Sequence, residues 1–253
     1  MKLELKNVSV IYQRAGSAQV VALDDVSFAA ETGDFICLFG PSGCGKTTIL
    51  NLLGGFILPT RGRVIYDGSL VTGPAKARGV VFQQHNLFPW LSVRKNVEFG
   101  PRACGHGSTG WQEMVGNYLE SAGLLDFAEK FPAELSVGMQ QRVAIVRAFA
   151  NNPDVLLMDE PFSSLDDVST AVMHKILRNL LDLSRKTVVI VTHNVDEAIK
   201  LADVIICLSP RPGKVTGKFD LREARKSPDF TESTCRIREE ILNLMSFTSA
   251  DTR

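Results

Sequence analysis

Residues 40 to 48 read Gly40-Pro41-Ser42-Gly43-Cys44-Gly45-Lys46-Thr47-Thr48 and follow directly on the apolar stretch Phe35 to Phe39. A glycine-rich loop closed by lysine and threonine is the pattern that cradles polyphosphate. Its physics requires a buried strand to deliver the chain to the loop and a helix to begin at once. The helix then presents unpaired N–H groups and its positive dipole end to the phosphates. Lys46 can reach the terminal phosphates, and the Thr47 hydroxyl can hold Mg²⁺. The bland alternative is a glycine-rich turn before an ordinary helix. With the full pattern in strand–loop–helix context, nucleoside triphosphate binding is the reading adopted.

Further chemistry sits at the ends of other apolar runs. Val155 to Met158 leads into Asp159 and Glu160. Asp159 suits a contact to Mg²⁺, directly or through one of its ligands, and Glu160 can polarise an attacking water. The same letters, Asp-Glu-Pro, also read as an acidic helix start that complements a dipole. His193 closes the run Thr187 to Val191, where it would point toward a terminal phosphate at the carboxyl edge of a nucleotide-binding sheet. Gly79 to Gln83 reads as another buried strand, and the neutral amide of Gln83 at its end can contact Mg²⁺ or the attacking water. Taken alone, His193 is a structural histidine and Gln83 a surface glutamine. Ser136 is an N-cap for a helix from Gln140 to Ala150, a second helix start able to meet an anion.

The elements that must position these residues follow from patterning. Residues 2 to 12 alternate as a half-buried strand, Arg14-Ala15-Gly16-Ser17 reads as its turn, and Gln19 to Phe28 as the returning strand. Phe35 to Phe39 is a buried strand, and the helix from Lys46 stops near Gly54-Gly55. Val64 to Tyr66 is a short strand before the Asp67-Gly68 turn. Trp111 to Ala122, Leu124 to Lys130 and Gln140 to Ala150 read as helical, with little strand between. The apolar runs at Val155, Thr187 and Val204 alternate with helical stretches, which implies a parallel sheet flanked by helices. Pro210-Arg211-Pro212-Gly213 breaks the pattern. A polar tail follows, with an amphipathic helix over Ile237 to Met245.

Composition narrows the class. The 253 residues carry 28 Lys plus Arg and 28 Asp plus Glu, a formal net charge of zero that disfavours a general nucleic-acid partner. The five cysteines (Cys37, Cys44, Cys104, Cys207, Cys235) are scattered without metal-ligand spacing, as expected for reduced cytosolic thiols. The opening MKLELKNVSV has no signal-peptide core, and no apolar run nears the ~18 residues a membrane helix needs. Any link to a membrane is expected through a partner.

Leu135-Ser136-Val137-Gly138-Met139-Gln140-Gln141-Arg142, with its spacing to Asp159, resembles the LSGGQ-type signature of ATP-binding-cassette ATPases. The resemblance covers nearly the whole chain through Tyr12, the GPSGCGKTT loop, VFQ at Gln83, VLLMDEP, the SSLD of Ser163 to Asp166, and VTH at His193. It implies an α/β P-loop NTPase (RecA-like) core with an antiparallel β subdomain and an inserted helical subdomain. The expected organisation is 1–83 and 151–210 as core, 84–150 as helical subdomain and 211–253 as tail. It further implies that ATP is held by residues Gly40 through Thr48 and that Tyr12 stacks on adenine. Ser136 and Gly138 would contact the γ-phosphate of the opposite subunit, and Asp166 would lie between two sites of an ATP-dependent homodimer.

More narrowly, GVVFQ, LFPWLSVRKNVEFG, MQQRV and LSPRPGKV look like ATPase subunits of nitrate, sulfonate and taurine importers. That likeness implies permease partners, an indirect link to a periplasmic or extracellular solute-binding protein, and a peripheral place on the cytoplasmic side of the membrane. The apolar cluster Leu87, Phe88, Trp90 and Leu91 would dock a permease helix or pack the insert. Two departures stand out: Val137 where the signature has glycine, and Ser163-Ser164 where this branch has Gly-Ala. A soluble cassette ATPase acting on nucleic acid or as an assembly scaffold is the alternative. A P-loop GTPase is disfavoured by the lack of an NKxD motif.

Overall fold

The computed structural model describes residues 1–13, 18–103, 110–182, 184–226 and 230–250, which group into two compact units, 1–75 with 187–253 and 76–186. In chain order the first elements are β1 (Leu3–Tyr12), β2 (Val20–Ala30), β3 (Phe35–Phe39), α1 (Lys46–Gly54), β4 (Arg61–Tyr66) and β5 (Ser69–Leu70). There follow β6 (Arg78–Val81), α2 (Val93–Ala103), α3 (Trp111–Ser121), α4 (Val137–Ala150), β7 (Val155–Asp159) and α5 (Asp167–Asp182). The chain closes with β8 (Thr187–Thr192), α6 (Val195–Leu201), β9 (Val204–Leu208), β10 (Val215–Asp220) and α7 (Phe230–Ala250).

In the first unit, β1 is the centre of an antiparallel sheet in the order β2-β1-β4-β5. It buries Leu3 and Leu5, then Val8 and Val10, so its inward face changes parity partway along. Asn7, at φ 48°, lies where the pairing register with β2 slips. Its N–H donates to Ser27 Oγ at 2.8 Å and its Nδ2 to Asp25 Oδ1 at 2.9 Å. A bulge of this kind keeps both halves of one strand facing the same core. β3 is buried at every position and runs parallel to β8 and β9, while β10 closes antiparallel on β9. Strands covered on both faces need unbroken apolar sequence, which FICLF, TVVIVT and VIICL supply. α1 stops at Gly55, whose φ of 80° lets its N–H cap the last turn.

In the second unit β6 and β7 pair in parallel, with Gly79 opposite Leu156 and Val81 opposite Met158. Around them α2, α3 and α4 bury Val93 and Val97, Val115 and Leu119, and Val143, Val146 and Phe149. Tyr118 meets Phe149 edge-on at 6.1 Å. Asp166 precedes α5 as its cap and binds Ser169 N–H and O–H through its two oxygens at 2.9 and 2.7 Å.

Several expectations are corrected. The strand expected over Gly79 to Gln83 ends at Val81, which leaves Phe82 and Gln83 in an exposed segment beyond it. Leu124 to Lys130 holds only the 3-10 turn Leu125–Phe127. The helix expected from Gln140 begins at Val137, directly after its Ser136 cap. α2 and β10 were not expected: charged and polar residues dominate both, and the amphipathic spacing of Val93 and Val97 in α2 was overlooked. The tail helix runs from Phe230 to Ala250, beyond the expected span at both ends. The turn Arg14 to Ser17 and Cys104 lie outside the described residues. Among the described residues no helix is long and apolar enough to cross a membrane.

Candidate functional site

The phosphate loop belongs to the first unit. β3 delivers the chain to Gly40, and α1 starts at Lys46 behind Gly45, which sits at φ 102°. A Cβ on Gly45 would lie 2.5 Å from Leu23 Cδ2, so this sharp entry into the helix needs glycine. Lys46 is only 5% exposed, and its Nζ donates to Gly40 O at 2.8 Å and Pro41 O at 2.9 Å, with Cys44 Sγ at 3.8 Å. These partners are two carbonyls and a thiol. Among the described residues no carboxylate pairs with this ammonium; burying such a charge is costly unless an anion is to arrive, and that is the fit to a polyphosphate. Thr47 and Ser42 are exposed beside it. Burial pushes the Cys44 thiol up, with the Lys46 ammonium pulling partly back, so this cysteine stays protonated and unreactive near neutral pH.

Other candidates of the first unit flank the loop in sequence or in space. Tyr12 ends β1 and is 43% exposed as a residue, and its hydroxyl lies 3.4 Å from Thr48 Oγ1. An exposed ring tied to the loop helix is an available stacking face. His193 is exposed and follows the last residue of β8. The residues on either side of it are tied down by hydrogen bonds. Asn194 N–H donates to Thr192 Oγ1 at 3.0 Å, and Asn194 Oδ1 caps α6 by accepting from Asp196 and Glu197 N–H.

The second unit carries Gln83, Ser136, Gly138, Asp159, Glu160 and Asp166. Asp159 is the last residue of β7, and both it and Glu160 are half-buried. Glu160 sits at φ 44°, the left-handed region that a non-glycine residue occupies only where its surroundings hold it. Those surroundings include Ser163, whose N–H and Oγ donate to Glu160 O at 3.3 and 3.1 Å. Ser136 Oγ accepts from Met139 N–H at 3.3 Å, and Val137 is the half-exposed first residue of α4, outside the positive-φ set. A Cβ on Gly138 would lie 3.5 Å from Leu165 Cδ2, an ordinary contact. Hydrogen bonds from Ser169 hold the Asp166 carboxyl below the usual aspartate value.

Sequence reasoning missed the residues that shape the segment after Gln83. Asn96, buried in α2, donates from Nδ2 to Leu91 O at 2.9 Å and Phe88 O at 3.1 Å and accepts from Phe88 N–H at 2.8 Å. Arg147, on α4, donates to Asn86 O at 2.7 Å and His85 O at 3.0 Å and stacks over Phe88. The segment is therefore braced by α4, the helix that Ser136 caps. Phe88 also meets Phe99 at 4.4 Å and Trp90 at 5.7 Å, and Trp90 stays 70% exposed. The only signal available was a polar asparagine among apolar positions, and it is weak.

The ABC transporter family model matches residues 23–163. The taurine import ATP-binding protein of Roseobacter denitrificans is 42% identical over 96% of this chain and 93% of its own length. The nitrate import ATP-binding protein of Synechocystis sp. is 44% identical over 95% of this chain and 90% of its own. Among solved structures, a dimeric bacterial ABC transporter cassette superposes with TM-score 0.77 at 35% identity, covering 87% of this chain and 99% of that one. A dimeric cassette in a post-hydrolysis state bound to ADP and Pi superposes at 0.76, again at 35% identity and with the same coverage.

Proposed function

The chain belongs to the ABC transporter family, and from that premise we propose that it is the ATP-hydrolysing subunit of an importer, energising uptake of a small solute of the taurine, sulfonate or nitrate kind. The family membership supports ATP binding and hydrolysis, and the names of relatives similar over nearly the whole chain support import. The observation that carries the reading is Lys46, a buried ammonium that among the described residues is held by two carbonyls of its own loop and a neutral thiol.

In this reading the backbone N–H groups of Gly40 through Thr48 and the Lys46 ammonium hold the phosphates. Lys46 exchanges its loop carbonyls for phosphate oxygens, so charge replaces dipole at little reorganisation cost. Tyr12 stacks on the adenine. Thr47, Gln83 and Asp159 would hold Mg²⁺, which would neutralise charge on the terminal phosphates. Glu160 accepts a proton from the attacking water, and His193 donates a hydrogen bond to the terminal phosphoryl group. Ser136 and Gly138 contact the nucleotide of a second copy, with Asp166 between the two sites, so ATP draws the copies together. The signature helix belongs to a helical subdomain over 84–150 beside a core of 1–83 and 151–210, with 211–253 as tail. Permease subunits are the transmembrane partners, and the chain is peripheral on the cytoplasmic face of the membrane. A solute-binding protein outside the membrane is an indirect partner.

The test is phosphate release and nucleotide binding with wild type and Lys46→Ala. Wild type is expected to hydrolyse ATP and to bind it, and Lys46→Ala to lose both. Wild-type turnover that survives Lys46→Ala would overturn the site. Co-purification with a membrane permease, against co-purification with nucleic acid, decides between import and the soluble alternative.

A further inference from the structure

The turn 209–214 joins β9 to β10 and lies directly on the phosphate loop. Gly213 N–H donates to Ala22 O at 2.9 Å, and Gly213 O accepts from Asp24 N–H at 3.0 Å. Lys214 pairs with Asp24 at 2.8 Å. Ser209 Oγ closes the turn on itself, donating to Pro212 O and accepting from Lys214 N–H, each at 2.9 Å. A Cβ on Gly213 would stand 2.1 Å from Cys44 O, so backbone here touches backbone of the loop. From this platform Arg211 reaches over, and its Nε and Nη2 both donate to Gly43 O at 3.3 Å.

A trans peptide carries its C=O and N–H on opposite sides. A guanidinium that holds Gly43 O on the outside therefore turns Cys44 N–H inward, where it donates across the loop to Pro41 O at 3.3 Å. Nothing in residue 43 itself enforces this. Gly43 sits at φ 76°, and glycine moves between backbone regions at little cost. A flipped peptide would present a carbonyl oxygen, the wrong end of the dipole, to an arriving anion.

We propose that Arg211 is a positioning residue for the phosphate loop, holding the Gly43 carbonyl outward so that no carbonyl oxygen of this peptide faces the arriving anion and Cys44 N–H stays on the inner side of the loop. The inference rests on the ATP-binding reading above and adds to it a device from outside the loop motif. Arg211 acts through the peptide it orients, with its own charge a lesser contributor.

The experiment uses the full chain, ¹⁵N-labelled at cysteine, with Arg211→Ala, Arg211→Gln and Arg211→Lys; loss of one signal in Cys44→Ser assigns the Cys44 amide. Gln is informative because its Nε2 stands where Arg Nε does, without the charge. Without nucleotide, Arg211→Ala is expected to move or broaden the Cys44 amide resonance while those of Cys37 and Cys207 stay. Its ATP dissociation constant should rise about three- to ten-fold, the scale of losing an exposed charge-assisted hydrogen bond, and Arg211→Gln should recover much of this. An unmoved Cys44 resonance, or an unchanged dissociation constant in Arg211→Ala, would overturn the proposal. So would a loss that Lys restores and Gln does not, which is the mark of plain charge. A wild type that fails to bind ATP would sink the nucleotide reading instead, and the Cys44 resonance, read without nucleotide, would then decide the positioning role alone.

Discussion

Glu160 combines a chemical assignment with a conformational cost. Its φ of 44° is one that a glutamate holds at an expense of about 1–3 kcal/mol, and the Ser163 hydrogen bonds help to maintain it. The two properties separate by substitution. Glu160→Gln keeps the backbone and shape but removes the anion, so hydrolysis should fall by about 10² or more while ATP binding persists. Glu160→Gly should abolish hydrolysis equally yet raise the nucleotide-free unfolding midpoint, because glycine carries no penalty at positive φ. Phosphate release and thermal melts read both, and a Glu160→Gln protein with wild-type turnover would remove the residue from its role. Val137 poses the reverse question. It opens α4 outside the positive-φ set with its side chain half exposed, so glycine's freedom is not what this position demands. Val137→Gly is accordingly expected to change ATP-driven dimerisation by less than about ten-fold, the equivalent of ~1.4 kcal/mol, measured as ATPase rate against protein concentration. An inactive native form rescued by glycine would contradict this.

At the scale of elements, caps and braces set where functional backbone points. Asp166 caps α5, and Ser169 holds its carboxyl below the ordinary value of 3.8. A depressed carboxylate contributes stability that is present above the unfolded value and is lost as pH falls through the folded one. Asp166→Asn should therefore flatten the acid limb of stability below pH ~4, seen in urea titrations at stepped pH, and an unchanged limb would show that the cap carries no linkage. Asn96 is the more severe case. It is fully buried in α2 and satisfies backbone groups of the segment 88–92. Asn96→Ala removes the side-chain partner of Phe88 N–H and Leu91 O, which costs about 2 kcal/mol or more. If the segment docks a permease, transport should fail in this variant before ATP binding does. Loss of both together would place the residue in general stability.

At the scale of the molecule, buried thiols shape the alkaline limit. Burial drives Cys207 from 9.0 up to about 12, and Cys37 moves in the same direction. A raised acid is protonated in the folded chain while the unfolded chain has already lost its proton. Stability is thus unaffected below pH 9 and falls through the window up to about 12, by about 1.4 kcal/mol per pH unit for one such group. Cys207→Ala should lower stability at neutral pH through the cavity but flatten the slope above pH 9, and an equal slope in both proteins would refute the linkage. Much of the protein was legible in its letters. The phosphate loop, β3, β9 and the Ser136 cap announce themselves because each depends on contiguous residues: a strand buried on both faces must be apolar throughout, and a turn needs glycine in fixed places. What the letters could not supply depends on residues far apart in sequence. β10 exists because β9 offers it an edge, and α2 because Val93 and Val97 find the second unit's apolar interior. The parity change of β1 needs Asn7 to meet Asp25 and Ser27, and the outward Gly43 carbonyl needs Arg211, which stands 168 residues away along the chain. Local patterning determined the chemistry this chain can attempt. Tertiary contact decided which way its backbone dipoles face, since a peptide's orientation has no signature in its own residues.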